Sequence, residues 1–181
     1  MIIMGGNPMA SNGSVWTVPD FRNRAKALQK RGGQLVVIDP RRTETAKIAD
    51  RHLFIRPATD GLLLVALLKA VLTHPERPAL PDYIDNLDAV AEAVSGFDSG
   101  ACAAQCGVAL PDIEWLADRM VTGPAALYGR IGAATQSFGT LNAWLIGLIN
   151  IASGQLDREG GLLFPTPLVD TVAMAGPGSV G

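Results

Sequence analysis

The sequence alternates short apolar runs with segments of helical spacing, and every run is stopped by glycine or by a polar loop. Ile2–Met4 gives way to Gly5-Gly6-Asn7-Pro8, and Leu35–Ile38 to Asp39-Pro40-Arg41-Arg42-Thr43. Leu53–Ile55 gives way to Arg56-Pro57-Ala58-Thr59-Asp60, and Ala125–Tyr128 to Gly129-Arg130-Ile131-Gly132. Between the first two runs, Asp20 can cap a helix that reaches Arg31, with Phe21, Ala25 and Leu28 on one face and Gly32-Gly33 as its stop. Strand, helix, strand in this order is a right-handed crossover unit with parallel strands, and ligands meet such units at the carboxyl ends of the strands. The expected fold class is α/β, a doubly wound, mostly parallel sheet flanked by helices.

The rest of the chain fits that plan. A short helix is expected over Thr43–Asp50, and its start, beside Asp39, would offer free amides and a positive dipole end to an anion. Thr59 or Asp60 caps a helix to about Thr73 that is apolar on nearly all sides, which places it between the sheet and an outer layer. Residues 75–81 hold three prolines and read as a linker. Amphipathic helices are expected over Pro81–Ser95 and Pro111–Val121, with Gly96–Gly107 between them. An apolar helix over Thr140–Ser153 stops at Gly154, and Gln155–Gly161 is a polar glycine loop. Residues 1–165 thus read as one α/β domain and 166–181 as a Pro/Gly-rich tail with no reason to be ordered. Both ends look cut, so the chain reads as a fragment of a larger protein.

Charge and cysteine usage narrow the function. Fifteen Lys and Arg against seventeen Asp and Glu leave a net charge of −2 with no long run of either sign, so bulk attraction to nucleic acid is unsupported. Cys102 and Cys106 make no disulfide framework and cannot alone complete a metal site; they read as small buried hydrophobes. His52 and His74 lack an obvious nucleophile or partner and read as structural or surface residues. The run Leu62–Leu68 is too short for a membrane span. A cytoplasmic compartment is the default expectation.

The residue types at the strand ends suit a nucleotide. An aspartate can accept two hydrogen bonds from the N1 and N2 donors of guanine or from a ribose diol, while arginine suits phosphate or stacks on a base. Glycine turns suit a pyrophosphate. Surface ion pairs are the plain alternative for any one of these loops. No G-x-G-x-x-G follows the first strand, which counts against a generic dinucleotide-binding domain.

Four segments resemble, in order and spacing, one family: the molybdopterin oxidoreductases, which include formate dehydrogenases, nitrate reductases and dimethyl sulfoxide reductase. They are Met4–Pro8, Val37–Ala46, Ile55–Asp60, and the pair Tyr128–Gly132 with Gly154–Gly161. The resemblance implies a Rossmann-like domain that holds one arm of a molybdopterin guanine dinucleotide carrying molybdenum or tungsten. Carried over by position, Gly5, Gly6, Asn7, Pro8 and Ser11 would lie along the dinucleotide. Asp39, Pro40, Arg41, Arg42 and Thr43 would meet its guanosine end, and Ala58, Thr59 and Asp60 its base. Ile131, Gly132, Thr135 and Gln136 would form a further contact region. Ala58 departs from the family by standing where glycine is frequent, and Ala133-Ala134-Thr135 supplies little polar equipment.

The same resemblance implies that the metal ligand lies upstream of these residues, with any 4Fe–4S cluster motif earlier still and a further domain downstream. No residue here is therefore assigned to bond making or to a metal. The expected role is a cofactor-binding segment of an enzyme that transfers an oxygen atom or oxidises or reduces a small substrate such as formate or nitrate, and the fragment alone is expected to be inactive. Its partners would be the remaining domains of the parent enzyme and electron-transfer subunits, with no nucleic acid and no membrane insertion. A cofactor-free electron-transfer scaffold, like the large iron–sulfur subunit of complex I, is the rival reading.

Overall fold

The computed structural model describes residues 1–13, 16–163, 168, 169 and 174. The Pro/Gly-rich tail expected over 166–181 lies outside the described residues, apart from the last three of these positions. Four parallel strands, β1 (Ile2–Met4), β2 (Val36–Ile38), β3 (Arg51–Leu53) and β4 (Leu127–Gly129), form one sheet in the order β3-β2-β1-β4. Ile3 pairs with Val37 on one side and with Tyr128 on the other. From β1 the chain winds outward to β2 and β3, then returns to place β4 on the opposite side of β1. The order therefore reverses between β1 and β4, which is where a doubly wound sheet opens a crevice.

Alternation along β1 divides the core. Ile2 and Met4 face the larger cluster with Val36, Ile38 and Leu127, whereas Ile3 faces the smaller one with Leu35, Phe21 and Ala25. A short α1 (Pro8–Ser11) follows the first strand, and α2 (Phe21–Lys30) covers the smaller face. On the larger face α3 (Asp60–Leu72) is mostly buried, with Leu63, Leu64, Leu67, Leu68 and Val71 removed from solvent. Each such side chain contributes roughly 1.5–3 kcal/mol of burial. Around it pack α4 (Leu87–Ser95), α5 (Ser99–Cys106), α6 (Leu110–Thr122) and, after β4 and a short α7 (Ile131–Ala134), α8 (Gly139–Ala152).

Several boundaries depart from the sequence expectation. The third strand lies at Arg51–Leu53 rather than Leu53–Ile55. Asp50 sets this register: its amide donates to the Leu35 carbonyl, and its carboxylate accepts from the Leu35 amide at 2.6 Å. An edge strand tolerates the half-exposed Arg51 and His52, and Phe54 points out beyond the ladder. The fourth strand likewise starts at Leu127 rather than Ala125.

The helix expected over Thr43–Asp50 shrinks to a single 3-10 turn, Ala46–Ile48, because Ala49 is extended. The anion-binding helix start expected there does not form. Asn86, in the left-handed region at φ 62°, delays α4 to Leu87. The unassigned stretch 96–107 contains α5, whose Asp98 carboxylate accepts from the Ala101 amide at 2.6 Å, while Gly107 at φ 80° ends it. Cys102 and Cys106 lie on α5, buried in the core, and burial raises the pKa of both thiols.

The outer edge of β4 is closed by side chains. Asn150 of α8 accepts from the Leu127 amide at 3.0 Å through Oδ1 and donates to the Leu127 carbonyl at 2.9 Å through Nδ2, the bonds another strand would make. Fully buried Gln155 donates to the Met120 and Gly123 carbonyls at the end of α6. No helix among the described residues is long and apolar enough to cross a membrane.

Candidate functional site

At the reversal point the backbones after β1 and β4 touch. The Gly132 amide donates to the Gly5 carbonyl at 3.0 Å, and the Arg130 amide to the Met4 carbonyl at 2.9 Å. A methyl group on Gly132 would lie 2.8 Å from the Gly5 carbonyl oxygen, so the approach requires glycine there. Beside this contact opens a crevice of about 260 Å³, lined by Gly5, Gly6, Asn7 and Pro8 on one wall and by Asp39, Arg41 and Thr43 on the other. Tyr128, Arg130, Ile131 and Gly132 close its third side. Ligand pockets run to roughly 300–1,000 Å³, so this crevice suits one arm of a ligand.

Internal bonds hold the crevice walls. Asn7 is the joint: its Oδ1 accepts from the Thr45 amide at 3.2 Å and the Thr45 hydroxyl at 2.8 Å, and its Nδ2 donates to Glu44 at 2.7 Å. Thr45, with no exposed surface, also accepts from the Met9 amide at 3.1 Å. The Asn7 hydrogen bond is the main cause that lowers the pKa of the Glu44 carboxyl. Asp39 accepts from the Arg41 amide at 2.8 Å, and the Asp39 carbonyl lies 3.0 Å from His52 Nε2. Thr43 accepts from the Ala46 amide at 3.1 Å. These side chains make the loop shapes; Arg41 and Arg130 supply the charge. Neither arginine enters any ion pair of the described residues, which are Arg51–Asp112, His74–Asp118 and Arg119–Asp118.

A second cluster stands at the start of α3. Asp60, 6% exposed, accepts through Oδ2 from Gln136 Nε2 at 2.7 Å. Burial raises the pKa of its carboxyl, the Gln136 bond and its own backbone amide oppose that, and nearby Asp39 adds to the rise. Ala58 turns the chain into α3 at φ 65°, in the left-handed region.

The structure therefore brings most of the expected residues together and separates the others. Gly5, Gly6, Asn7, Pro8, Ser11, Asp39, Arg41, Thr43, Ile131 and Gly132 line the crevice, while Asp60 and Gln136 pair at the second cluster. Pro40 and Arg42 are exposed and do not line the crevice. Ala58 and Thr59 form the turn before α3, where the Thr59 hydroxyl donates to the Arg56 carbonyl. The Thr135 hydroxyl bonds the Ile131 carbonyl of its own turn at 2.7 Å. Arg56 serves the fold, donating to the Ala104 and Gln105 carbonyls at the end of α5.

Arg130 and Tyr128 were not singled out from sequence, although both sit in the strand-end segment that was. A strand end rich in glycine leaves its one charged residue little to pair with, and that is the signal that would have found Arg130. Among the described residues no three His, Cys, Asp or Glu side chains group to hold a metal ion.

No family model matches the chain. It is 29% identical over 164 residues to a nitrate reductase of Klebsiella oxytoca, covering 88% of this chain and 18% of that protein. It is 34% identical over 131 residues to the assimilatory nitrate reductase of Haloferax mediterranei, 68% of this chain and 17% of that protein. Against a dimethyl sulfoxide/trimethylamine N-oxide reductase of Cereibacter sphaeroides the identity is 26% over 172 residues, 89% of this chain and 21% of that protein. Among solved structures, acetylene hydratase from Pelobacter acetylenicus superposes with a TM-score of 0.72 at 22% identity, over 84% of this chain and 21% of that one, a likeness of fold. The chain spans about a fifth of the length of these relatives.

Proposed function

Because the chain belongs to the molybdopterin oxidoreductases, the family of the nitrate and dimethyl sulfoxide reductases, we propose that it holds one guanine-dinucleotide arm of the cofactor within a larger enzyme. The observation that carries this reading is the crevice at the strand-order reversal, with close-packed glycine backbone on one side and, on the others, two arginines outside the ion pairs of the described residues. Such a setting suits an anionic linker: Arg41 and Arg130 meet the charge of a pyrophosphate, and the glycine backbone lets it approach closely. The neighbouring carboxylates of Asp39 and Asp60 suit hydrogen-bond donors, as on a guanine edge or a ribose diol.

The bound cofactor, with its molybdenum or tungsten, would supply the redox centre. The residues of this chain would bind and orient it; bond making, the metal ligand and any 4Fe–4S cluster belong to other parts of the parent. For the parent we propose two-electron chemistry on a small substrate of the nitrate or formate kind, in the cytoplasm. The relatives named above are reductases, which favours an enzyme over a cofactor-free electron-transfer scaffold. Exposed apolar side chains, Ile131 in the crevice lining and Phe138 and Trp144 at the start and along α8, suit contact with the remaining domains.

The test is metal analysis of the parent protein combined with nucleotide release. Molybdenum or tungsten with guanosine monophosphate on cofactor hydrolysis is expected. A metal-free parent expressed with ample cofactor supply overturns the reading.

A further inference from the structure

One side chain spans the two outer strands' loops. Gln136 Nε2 donates to Asp60 Oδ2 at 2.7 Å and to the Gly132 carbonyl at 2.9 Å. Asp60 opens α3 just after β3, and Gly132 lies just after β4. This single amide therefore ties the start of α3 to the turn that follows β4, although β3 and β4 are opposite edges of the sheet.

The carboxylate needs such a donor. Asp60 is nearly buried, enters no ion pair of the described residues, and has Asp39 as a negative neighbour. A carboxylate in that setting is stabilised chiefly by a hydrogen bond to its charged form.

The footing of Gln136 is firm. Asn142 of α8 is 1% exposed and donates through Nδ2 to the Ala133 carbonyl at 2.9 Å, which fixes α7 against α8. Its Oδ1 lies 3.3 Å from where a Cβ on Gly61 would sit, so the first turn of α3 packs directly on the same helix. The Asp60 end of the bond is thereby set on α3, and the Gln136 end in the short link between α7 and α8.

We propose that Gln136 is a positioning residue, holding the Asp60 carboxylate in one orientation at the edge of the site and leaving its second oxygen to accept from the 2-amino group of a guanine base. This rests on the reading of Asp60 as a base contact, and it moves Gln136 from ligand contact to support. A carboxylate held by one oxygen has a defined direction for the other, which makes it selective for a donor at one place on a base.

The test uses the 181-residue chain, titrated with guanosine monophosphate and with inosine monophosphate, which lacks the 2-amino donor. Gln136→Ala is expected to weaken guanosine monophosphate binding about three- to tenfold, the size of one hydrogen bond, while inosine monophosphate binding changes little. The double variant with Asp60→Ala should bind no worse than Asp60→Ala alone. Equal losses for both nucleotides, or losses that add in the double variant, overturn the positioning role. A second measurement does not depend on nucleotide. Followed by carbon NMR, the Asp60 carboxyl should titrate at higher pH in Gln136→Ala than in the wild type, since a donor to its charged form is gone. A raised titration with no wild-type nucleotide binding overturns the base-contact reading and leaves the support of Asp60 standing; an unchanged titration overturns the support itself.

Discussion

The backbone amide of Gly132 donates to the carbonyl oxygen of Gly5 at 3.0 Å, and the two residues pack so closely that neither has room for a side chain. This contact locks the loop after β4 onto the loop after β1 at the point where strand order reverses. The crevice exists because the two loops meet there instead of splaying apart. A site built this way is shaped by backbone, and its glycines are structural before they are ligand contacts.

Alanine at either glycine should therefore destabilise the fold. In Gly132→Ala the methyl meets the Gly5 carbonyl oxygen at 2.8 Å, and in Gly5→Ala it meets the Ala133 amide nitrogen at 2.5 Å with φ at 61°. Rigid backbone on both sides makes a loss of about 1–3 kcal/mol the expectation. Gly147→Ala is the control. That residue lies inside α8 with nothing within 4 Å of its added methyl. It should be neutral or stabilise by up to about 1 kcal/mol. Urea unfolding of the three variants checks the contrast, and equal effects at all three positions would refute it.

Ala58→Gly should stabilise the turn into α3. Ala58 holds φ at 65°, a conformation that costs an L-residue roughly 1–2 kcal/mol and glycine nothing. Glycine loses about 0.5–1 kcal/mol more chain entropy on folding. The difference leaves a net gain of up to about 1.5 kcal/mol. Thermal unfolding reads it directly, and a lower melting temperature for Ala58→Gly would contradict it.

What the sequence made legible follows from which forces act locally. The four strands and the loops behind them were readable because apolar runs ending in glycine or charge mark a parallel strand and its carboxyl end. The register of β3 was not, since it depends on Asp50 bonding the Leu35 amide, a contact between distant residues. The same limit hid the role of Asn7. As a strand-end amide it reads as a ligand contact, and its side chain also bonds Thr45 and Glu44, some forty positions away. Arg130 is a related case: its value lies in entering no ion pair among the described residues, which becomes visible only when its neighbours are placed.

Thr45→Val should loosen the wall of the crevice with no change in shape. The valine removes the hydroxyl that donates to Asn7 Oδ1 and accepts from the Met9 amide, leaving that part-buried donor unmet. The expected cost is about 1–3 kcal/mol. Amide exchange should speed up at Met9 and its neighbours in the first loop while α6 stays protected. Uniform acceleration across both regions would show that Thr45 supports the whole fold instead of this joint.

Stability should fall with rising pH through one identifiable group. Burial raises the pKa of the Asp60 carboxyl above its ordinary 3.8, with the Gln136 and backbone amides working against that and Asp39 adding to it. The folded chain therefore holds the proton more tightly than the unfolded chain does. Between 3.8 and the raised value the unfolded state binds fewer protons, so the slope of unfolding free energy against pH is negative. The contribution of Asp60 is fully present below 3.8 and is lost as pH rises through the folded-state value. Glu44 acts in the opposite sense: its lowered pKa contributes stability that is lost as pH falls. Comparing wild type with Asp60→Asn cancels Glu44 and every other shared group. Urea midpoints taken from about pH 3 to about pH 7 should show the wild type losing ground to Asp60→Asn as pH rises. A constant difference over that range would mean that Asp60 keeps its ordinary acidity in the fold, and the buried carboxylate would then be no more costly than an exposed one.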